Sequence, residues 1–365
     1  MLKAFSYRLY PTASQQTYFA KAFGSVRFLY NQMLADRKDH YEKYKHDPQL
    51  LRSIKPRTYT SFKQDFPWLK EIDNLALANA KLNLDAAYQK FFKQGANFPV
   101  YKSKHRSKAS YKTNNQKGSI RIEGNRIKLP KIGFVKFTQH RKFAGTIKSC
   151  TVSMKPSGKY YISVLVEQDD LLWIPAPHKI GIDLGLTDFA ITTNDAGISE
   201  KIANPRHLQK AEKQLKRAQQ RLSRKQHGSK NRDKARVVVA KKHEKIANQR
   251  KDFLHKLSHR IVHENQVIAI ETLSSKNMMR NRRLSKAIAG VSWFEFTRQL
   301  AYKALWLGRT LIKADRWYPS SQICSACGHR GSKKSLDIRA WTCTPCGTHH
   351  DRDINASQNL LALAL

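Results

Sequence analysis

Four of the five cysteines stand in a tight frame near the end of the chain: Cys324-x-x-Cys327, fifteen residues, then Cys343-x-x-Cys346. In each knuckle two thiolates can hold one ion while the amides of the turn face the sulfurs. Two knuckles supply a closed tetrahedral sulfur set, the donor chemistry of structural zinc, with no position left open for catalysis. Gly328 and Gly347 follow the second cysteine of each knuckle, where the turn calls for positive φ. A pair of disulfides is the competing reading, and the spacing argues against it. His349 and His350 could compete as ligands, but four sulfurs already suffice, so they read as loop or substrate contacts. Cys150 stands alone in an expected strand and reads as a small buried apolar residue. Cysteines spaced for metal fit a reducing, cytosolic setting.

The charge balance constrains the partner. Among 365 residues, 68 Lys and Arg face 27 Asp and Glu, a net charge of +41. Such a chain needs a polyanion to offset its self-repulsion, and nucleic acid is the reading that follows. Apolar content of 40% and six tryptophans indicate folded domains rather than a basic tail. The length allows two or three of them. No apolar run of about 18 residues is present, and the N-terminus lacks the apolar stretch of a signal peptide. A membrane partner is therefore not expected.

Periodicity sketches the architecture. Residues 3–10 alternate as a strand, and 14–45 and 74–93 carry helical stripes. Residues 97–118, basic and aperiodic, read as a strand and loop meeting a phosphate backbone. Two hairpins follow, one turning at Glu123-Gly124-Asn125 and one at Pro156-Ser157-Gly158. With the first strand they predict a small antiparallel barrel interrupted by a helical block. After a linker at 173–178 the style turns α/β, with strands at 179–183, 189–193, 197–202, 266–270 and 310–314. Between the third and fourth lies a helical pair, about 206–226 and 233–263. Its predicted seam carries Leu208, Ala211, Leu215, Ala218 and Leu222 against Val239, Ile246, Phe253 and Leu257. Residues 207–260 hold 18 Lys and Arg against 4 Asp and Glu, so the outer face suits a nucleic-acid backbone. Helices at 290–307 and 355–365 complete the pattern.

Three acids stand where chemistry is expected. Asp183 ends the strand Ile-Gly-Ile-Asp, Glu271 closes Val-Ile-Ala-Ile-Glu, and Asp353 begins a helix beside the cysteine frame. A carboxylate abutting a buried strand costs several kcal/mol unless it is paired or binds metal. Converging at one sheet edge, the three could hold two divalent cations about 4 Å apart, one activating water and one stabilising the leaving 3′ oxygen. Such an all-oxygen, partly hydrated environment suits Mg²⁺. Asp351 competes with Asp353 for this role; Asp188 reads as a turn or cap residue.

With these residues in view, the chain resembles the TnpB family, transposon-associated RNA-guided DNA nucleases related to type V CRISPR effectors. The resemblance runs over nearly the whole length. It is carried by Arg8-Leu-Tyr-Pro-Thr12, Gly24, Arg27, Tyr30, Asn31, Phe91-Phe92, Pro99 to Lys104, Gly181-Ile-Asp-Leu-Gly185, Ile270-Glu-Thr-Leu273 and Ser320 to Asn355. Arg339-Ala-Trp-Thr-Cys343 and Asp351-Arg-Asp-Ile-Asn-Ala356 are the most specific stretches. Ser357 departs from the usual alanine, and the basic C-terminal tail often seen in the family is not present after Asn355.

The resemblance implies a multidomain α+β and α/β chain: a wedge β-barrel (1–10 and 100–172), a helical recognition domain (11–99), an RNase H-like RuvC nuclease domain (173–319 and 348–365) and a zinc ribbon (320–347). Asp183, Glu271 and Asp353 match the family's catalytic acids and would hold Mg²⁺, while Cys324, Cys327, Cys343 and Cys346 would hold structural zinc. It further implies a guide RNA from the transposon end, double-stranded target DNA cut next to a short adjacent motif, and a monomeric, cytoplasmic ribonucleoprotein associated with the nucleoid. Three other readings stand behind this one: an RNA-guided DNA-binding regulator without cleavage, a CRISPR-associated miniature effector, and a basic zinc-ribbon RNA-binding protein. The last leaves Asp183 and Glu271 without a purpose.

Overall fold

A computed structural model describes residues 1–169, 174–335 and 337–365. The expected boundary at 172–173 lies outside them. The chain forms two compact units, Met1–Asp170 and Leu171–Leu365. Among the described residues no helix is long and apolar enough to cross a membrane.

The first unit is built on one antiparallel sheet. Its strands are β1 (Leu2–Tyr10), β2 (Ala109–Asn114), β3 (Arg121–Glu123), β4 (Arg126–Leu129), β5 (Gly133–Thr138), β6 (Thr146–Met154) and β7 (Tyr160–Glu167). They run in the order β2-β6-β7-β1-β5-β4-β3. The sheet curls as a half-barrel whose edges are β2 and β3, rather than the barrel expected from the hairpins. Both predicted hairpins are present, as β3–β4 and β6–β7. Between β1 and β2 come α1 (Ala13–Tyr44), α2 (Pro48–Ser53), α3 (Phe62–Asp65), a 3₁₀ turn and α4 (Asn74–Gln94). Thr12 starts α1 with a reciprocal capping box to Gln15. Every second residue of β1 faces inward, and Tyr7 and Leu9 join Phe19, Leu29, Leu77, Leu84, Val152 and Ile162 in one core. Helices and sheet therefore share a single interior.

The second unit is a three-layer α/β body. Its strands are β8 (His178–Leu184), β9 (Asp188–Asn194), β10 (Ser199–Ala203), β11 (Asn265–Ile270) and β12 (Thr310–Lys313), with the short pair β13 (Ala340–Thr342) and β14 (His349–Asp351) apart. The five-stranded order is β10-β9-β8-β11-β12. β8, β11 and β12 are mutually parallel, β9 is antiparallel to β8, and β10 is antiparallel to β9 and so runs with β8. The helices are α5 (His207–Ser223), α6 (Lys230–Glu264), α7 (Ser275–Met278), α8 (Ser285–Val291), α9 (Trp293–Leu307) and α10 (Arg352–Ala362).

The period of two in β11 assigns the layers. Ile268 and Ile270 face α6 and α9 through Leu254, Leu257, Ile261, Phe296 and Leu300. Val267 and Ala269 face α10 through Leu361. Phe189 sits edge-on to both Phe253 and Phe296, at 5.0 and 5.1 Å between ring centres. The helical hairpin seam is shorter than expected: Leu215, Ala218, Val239 and Ile246 form it with Leu208, Ala211 and Leu222. Phe253 and Leu257 instead pack with the sheet. One 35-residue helix thus serves two partners along its length.

Candidate active site

Strand register brings the first two acids together. Ile182 of β8 lies opposite Ile270 of β11 in a parallel pair, so the next residues, Asp183 and Glu271, emerge side by side. The peptide N–H of Leu184 donates to Glu271 Oε1 at 2.6 Å, and Glu271 N–H reaches the Ile182 carbonyl at 3.4 Å. The two carboxyl groups lie close enough for a proton on one to be shared with the other.

The third acid arrives on α10, and glycine permits it. A Cβ on Gly181 would run into the backbone of Ser357 and Leu361, lying 2.8 Å from the Leu361 Cα. Only a bare backbone lets α10 lie this close on β8. Ser357, fully buried, bonds by its hydroxyl to Thr193 at 2.6 Å and so fixes the same helix to β9. Asp351 caps α10, its Oδ1 accepting from the Asp353 and Ile354 amides, and pairs with Lys201 at 2.6 Å. Both of its oxygens are engaged. Asp353 is the residue that turns toward Asp183 and raises its pKa. Asp188 opens β9, and Cys150 is buried at 1% exposure.

Burial, then the charges of Glu271 and Asp353, push the Asp183 carboxyl well above the usual range. Burial pushes Glu271 up to about 7, against the opposing pull of the Leu184 amide. Carboxyl groups forced into this state are poised to exchange protons for a cation. The donor set, all oxygen from partly buried carboxylates, fits Mg²⁺. Among the described residues the cysteines alone bring three or more ligand atoms all within 4.8 Å of one another. The acid cluster is thus more open than a single-ion cage. Arg339, which sequence reasoning passed over as a site residue, reaches Asp353 Oδ2 at 3.3 Å.

The cysteine frame fits zinc on its own geometry. Cys324 and Cys346 sulfurs lie 3.7 Å apart, as do those of Cys327 and Cys343. A tetrahedron of thiolates at the usual Zn–S length of about 2.3 Å has edges of about 3.8 Å. Gly328 and Gly347 adopt φ of 74° and 71°, as the knuckle turns require. His350 differs from expectation. It is buried, leans on Trp341 with ring centres 4.8 Å apart and brings Nε2 within 3.0 Å of Cys324 Sγ, so it braces the sulfur cluster rather than meeting substrate. Three side chains of α10 tie the first knuckle to the helix. Asn355 accepts from Ser325 N–H at 2.9 Å and donates to the Ile323 carbonyl at 2.8 Å. Asn359 donates to Ser320 and Ile323 carbonyls, both at 2.7 Å, and Gln358 accepts from the Ser325 hydroxyl.

Comparison with known proteins bears on this arrangement. A Streptomyces pristinaespiralis protein named as an RNA-guided DNA endonuclease is 36% identical over all of this chain and 89% of its own length. The chain belongs to the TnpB family. An Escherichia coli K12 relative, InsQ, named likewise, is 31% identical over 99% of this chain and 92% of its own. Family models described as "Probable transposase", "Cas12f1-like, TNB domain" and "Helix-turn-helix domain" match residues 162–282, 293–360 and 1–46. In this TnpB-family chain, that last stretch is a strand followed by one 32-residue helix. The structure of a Cas12f1–guide RNA–target DNA complex shares the fold, with a TM-score of 0.61 over 99% of this chain and 98% of that one, at 12% identity.

Proposed function

We propose that this protein is a transposon-associated, RNA-guided DNA endonuclease that hydrolyses phosphodiesters at Asp183, Glu271 and Asp353. The observation that carries the proposal is the delivery of three acids from distant parts of the chain to one sheet edge. The buried charge cost of such a cluster has no structural return. The second unit acts as the RuvC-like nuclease domain (173–319 and 348–365), with 320–347 as its zinc ribbon. The half-barrel strands and helical segment 11–99 act as wedge and recognition domains that read the motif beside the target.

The three carboxylates would hold Mg²⁺. A bound pair of such ions supplies an acidified water and charge neutralisation at the leaving oxygen. The chain's own groups do the rest. The Leu184 amide holds Glu271 in place, Gly181 and Ser357 set the depth of Asp353, and Arg339 balances the Asp353 charge. The ribbon, through Asn355, Gln358 and Asn359, holds the helix that carries Asp353. Guide pairing supplies target choice, as in guided effectors generally. The basic α5–α6 hairpin grips the polyanion, and the assembly works as a monomer on the nucleoid.

The test uses the protein purified with its RNA and a target duplex. Asp183→Ala, Glu271→Ala and Asp353→Ala should each reduce cleavage to background, with target binding within about twofold of wild type. A variant that still cuts removes its residue from the set. Wild-type protein that carries RNA and never cuts would return the non-cleaving regulator to first place.

A further inference from the structure

At the C-terminal end of α4 the first unit exposes aromatic rings that most proteins bury. Phe92 is 74% exposed, Tyr101 51% and Phe98 40%, with Val100 beside them at 73%. The rings are not scattered. Phe92 stacks on Tyr88 at 6.1 Å and meets Phe91 at 5.0 Å, while Phe98 stands edge-on to Tyr88 and Phe91 at 5.6 and 5.3 Å. Gly95, in the left-handed region at φ 62°, turns the chain back so that 98–101 can join the helix end. Asn31 then fixes the returning segment, donating to the Lys102 carbonyl at 2.9 Å and accepting from its amide at 2.8 Å. The wall is preformed.

Its rim is cationic. Lys38 lies over both Phe98 and Tyr101, and Arg37 over Tyr88. From residue 86 to residue 122 the chain holds nine Lys and Arg and no Asp or Glu. Single exposed apolar residues are ordinary, but a contiguous ring surface with a mostly cationic frame marks a partner. A protein partner would meet cations in excess of the single acid, Asp85, that Arg37 and Lys81 share. A duplex hides its base faces. Unpaired bases on a polyanionic backbone satisfy both halves of the surface.

We propose that Phe92, Phe98 and Tyr101 form a stacking platform for unpaired bases of single-stranded RNA. This rests on the RNA-guided reading above, in which the guide is the strand that carries unpaired bases before the target opens.

The experiment measures binding of full-length protein, freed of its own RNA, to a fluorescein-labelled oligoadenylate and to the same strand annealed to oligouridylate. Phe92→Ala and Tyr101→Ala should each weaken single-strand binding by about 5- to 100-fold, the loss of about one stacked base. Duplex binding should change less than twofold, and the salt slope should hold, because no cation that meets a phosphate is removed. Phe92→Trp should retain affinity. Equal losses on both ligands, or no loss, overturns the platform. A larger loss on oligodeoxyadenylate than on oligoadenylate overturns the assignment to RNA. Guided cleavage by wild type is scored separately: if wild type neither retains RNA nor cuts, the functional reading fails; if it does both while the alanine variants bind normally, only the platform fails.

Discussion

Gly181 and Leu361 touch through bare backbone: the place where a Gly181 side chain would stand is 2.8 Å from the Leu361 Cα. A strand and a helix far apart in sequence are thereby seated close enough for Asp353 to act on Asp183. Gly181→Ala should force α10 outward. Overpacking of this kind costs about 1–3 kcal/mol, more where backbone must move. Cleavage should fall further than thermal stability implies, since the acid geometry is lost first. Melting temperature and cleavage rate measured together check this; a variant cutting at the wild-type rate contradicts it.

Chelation of zinc, or Cys343→Ser, should disorder the ribbon and loosen α10 through Asn355 and Asn359. Cleavage should be lost while RNA stays bound to the rest of the chain. Metal analysis with parallel cleavage and RNA-retention assays tests the coupling. Full activity in protein stripped of zinc would break it.

Without metal, Asp183 and Glu271 hold protons more tightly when folded than unfolded, because burial raises them, Glu271 to about 7. The stability that protonated Glu271 contributes is full below its unfolded value of about 4.3 and is lost as pH rises through about 7, and Asp183 acts in the same direction. Metal-free protein should therefore lose melting temperature more steeply over this window than Asp183→Asn/Glu271→Gln protein. Mg²⁺ should recover the loss at the alkaline end by replacing the protons. Parallel slopes for the two proteins, with no Mg²⁺ effect, would contradict this.

On the hairpin, Arg217, Arg221, Lys241 and Lys245 are exposed. Replacing all four by Gln should leave the melting temperature near wild type and weaken RNA binding. The slope of log affinity against log salt should drop by about 0.7 for each phosphate that these cations neutralise in the wild type. A salt titration decides; an unchanged slope would place the RNA elsewhere.

The parts of this fold legible in the sequence are those governed by one local rule. Strand ends at Asp183 and Glu271, the stripes of α1 and α4, and the cysteine frame each follow from spacing alone. What escaped depends on a partner. Phe253 and Leu257 continue the heptad of the hairpin but turn to the sheet because α6 runs past the end of α5. β5 pairs on both sides, with β1 and β4, and carries only Val135 and Phe137 as an inward pattern. β13 and β14 are three residues each, held beside the knuckles rather than by propensity. His350 and Arg339 lacked any periodic signal; each is placed by the ribbon's return past α10.

The side-chain amides of Asn355 and Asn359 make the order of assembly matter. Asp183 and Glu271 emerge from the ribosome well before the knuckles, and their partner follows only after the second one. If the proposed function holds, a nascent chain gains its grip on nucleic acid before it has a complete blade. On the proposed reading, metal starvation would turn the same dependency into a safety catch, leaving a complex able to find DNA and unable to break it.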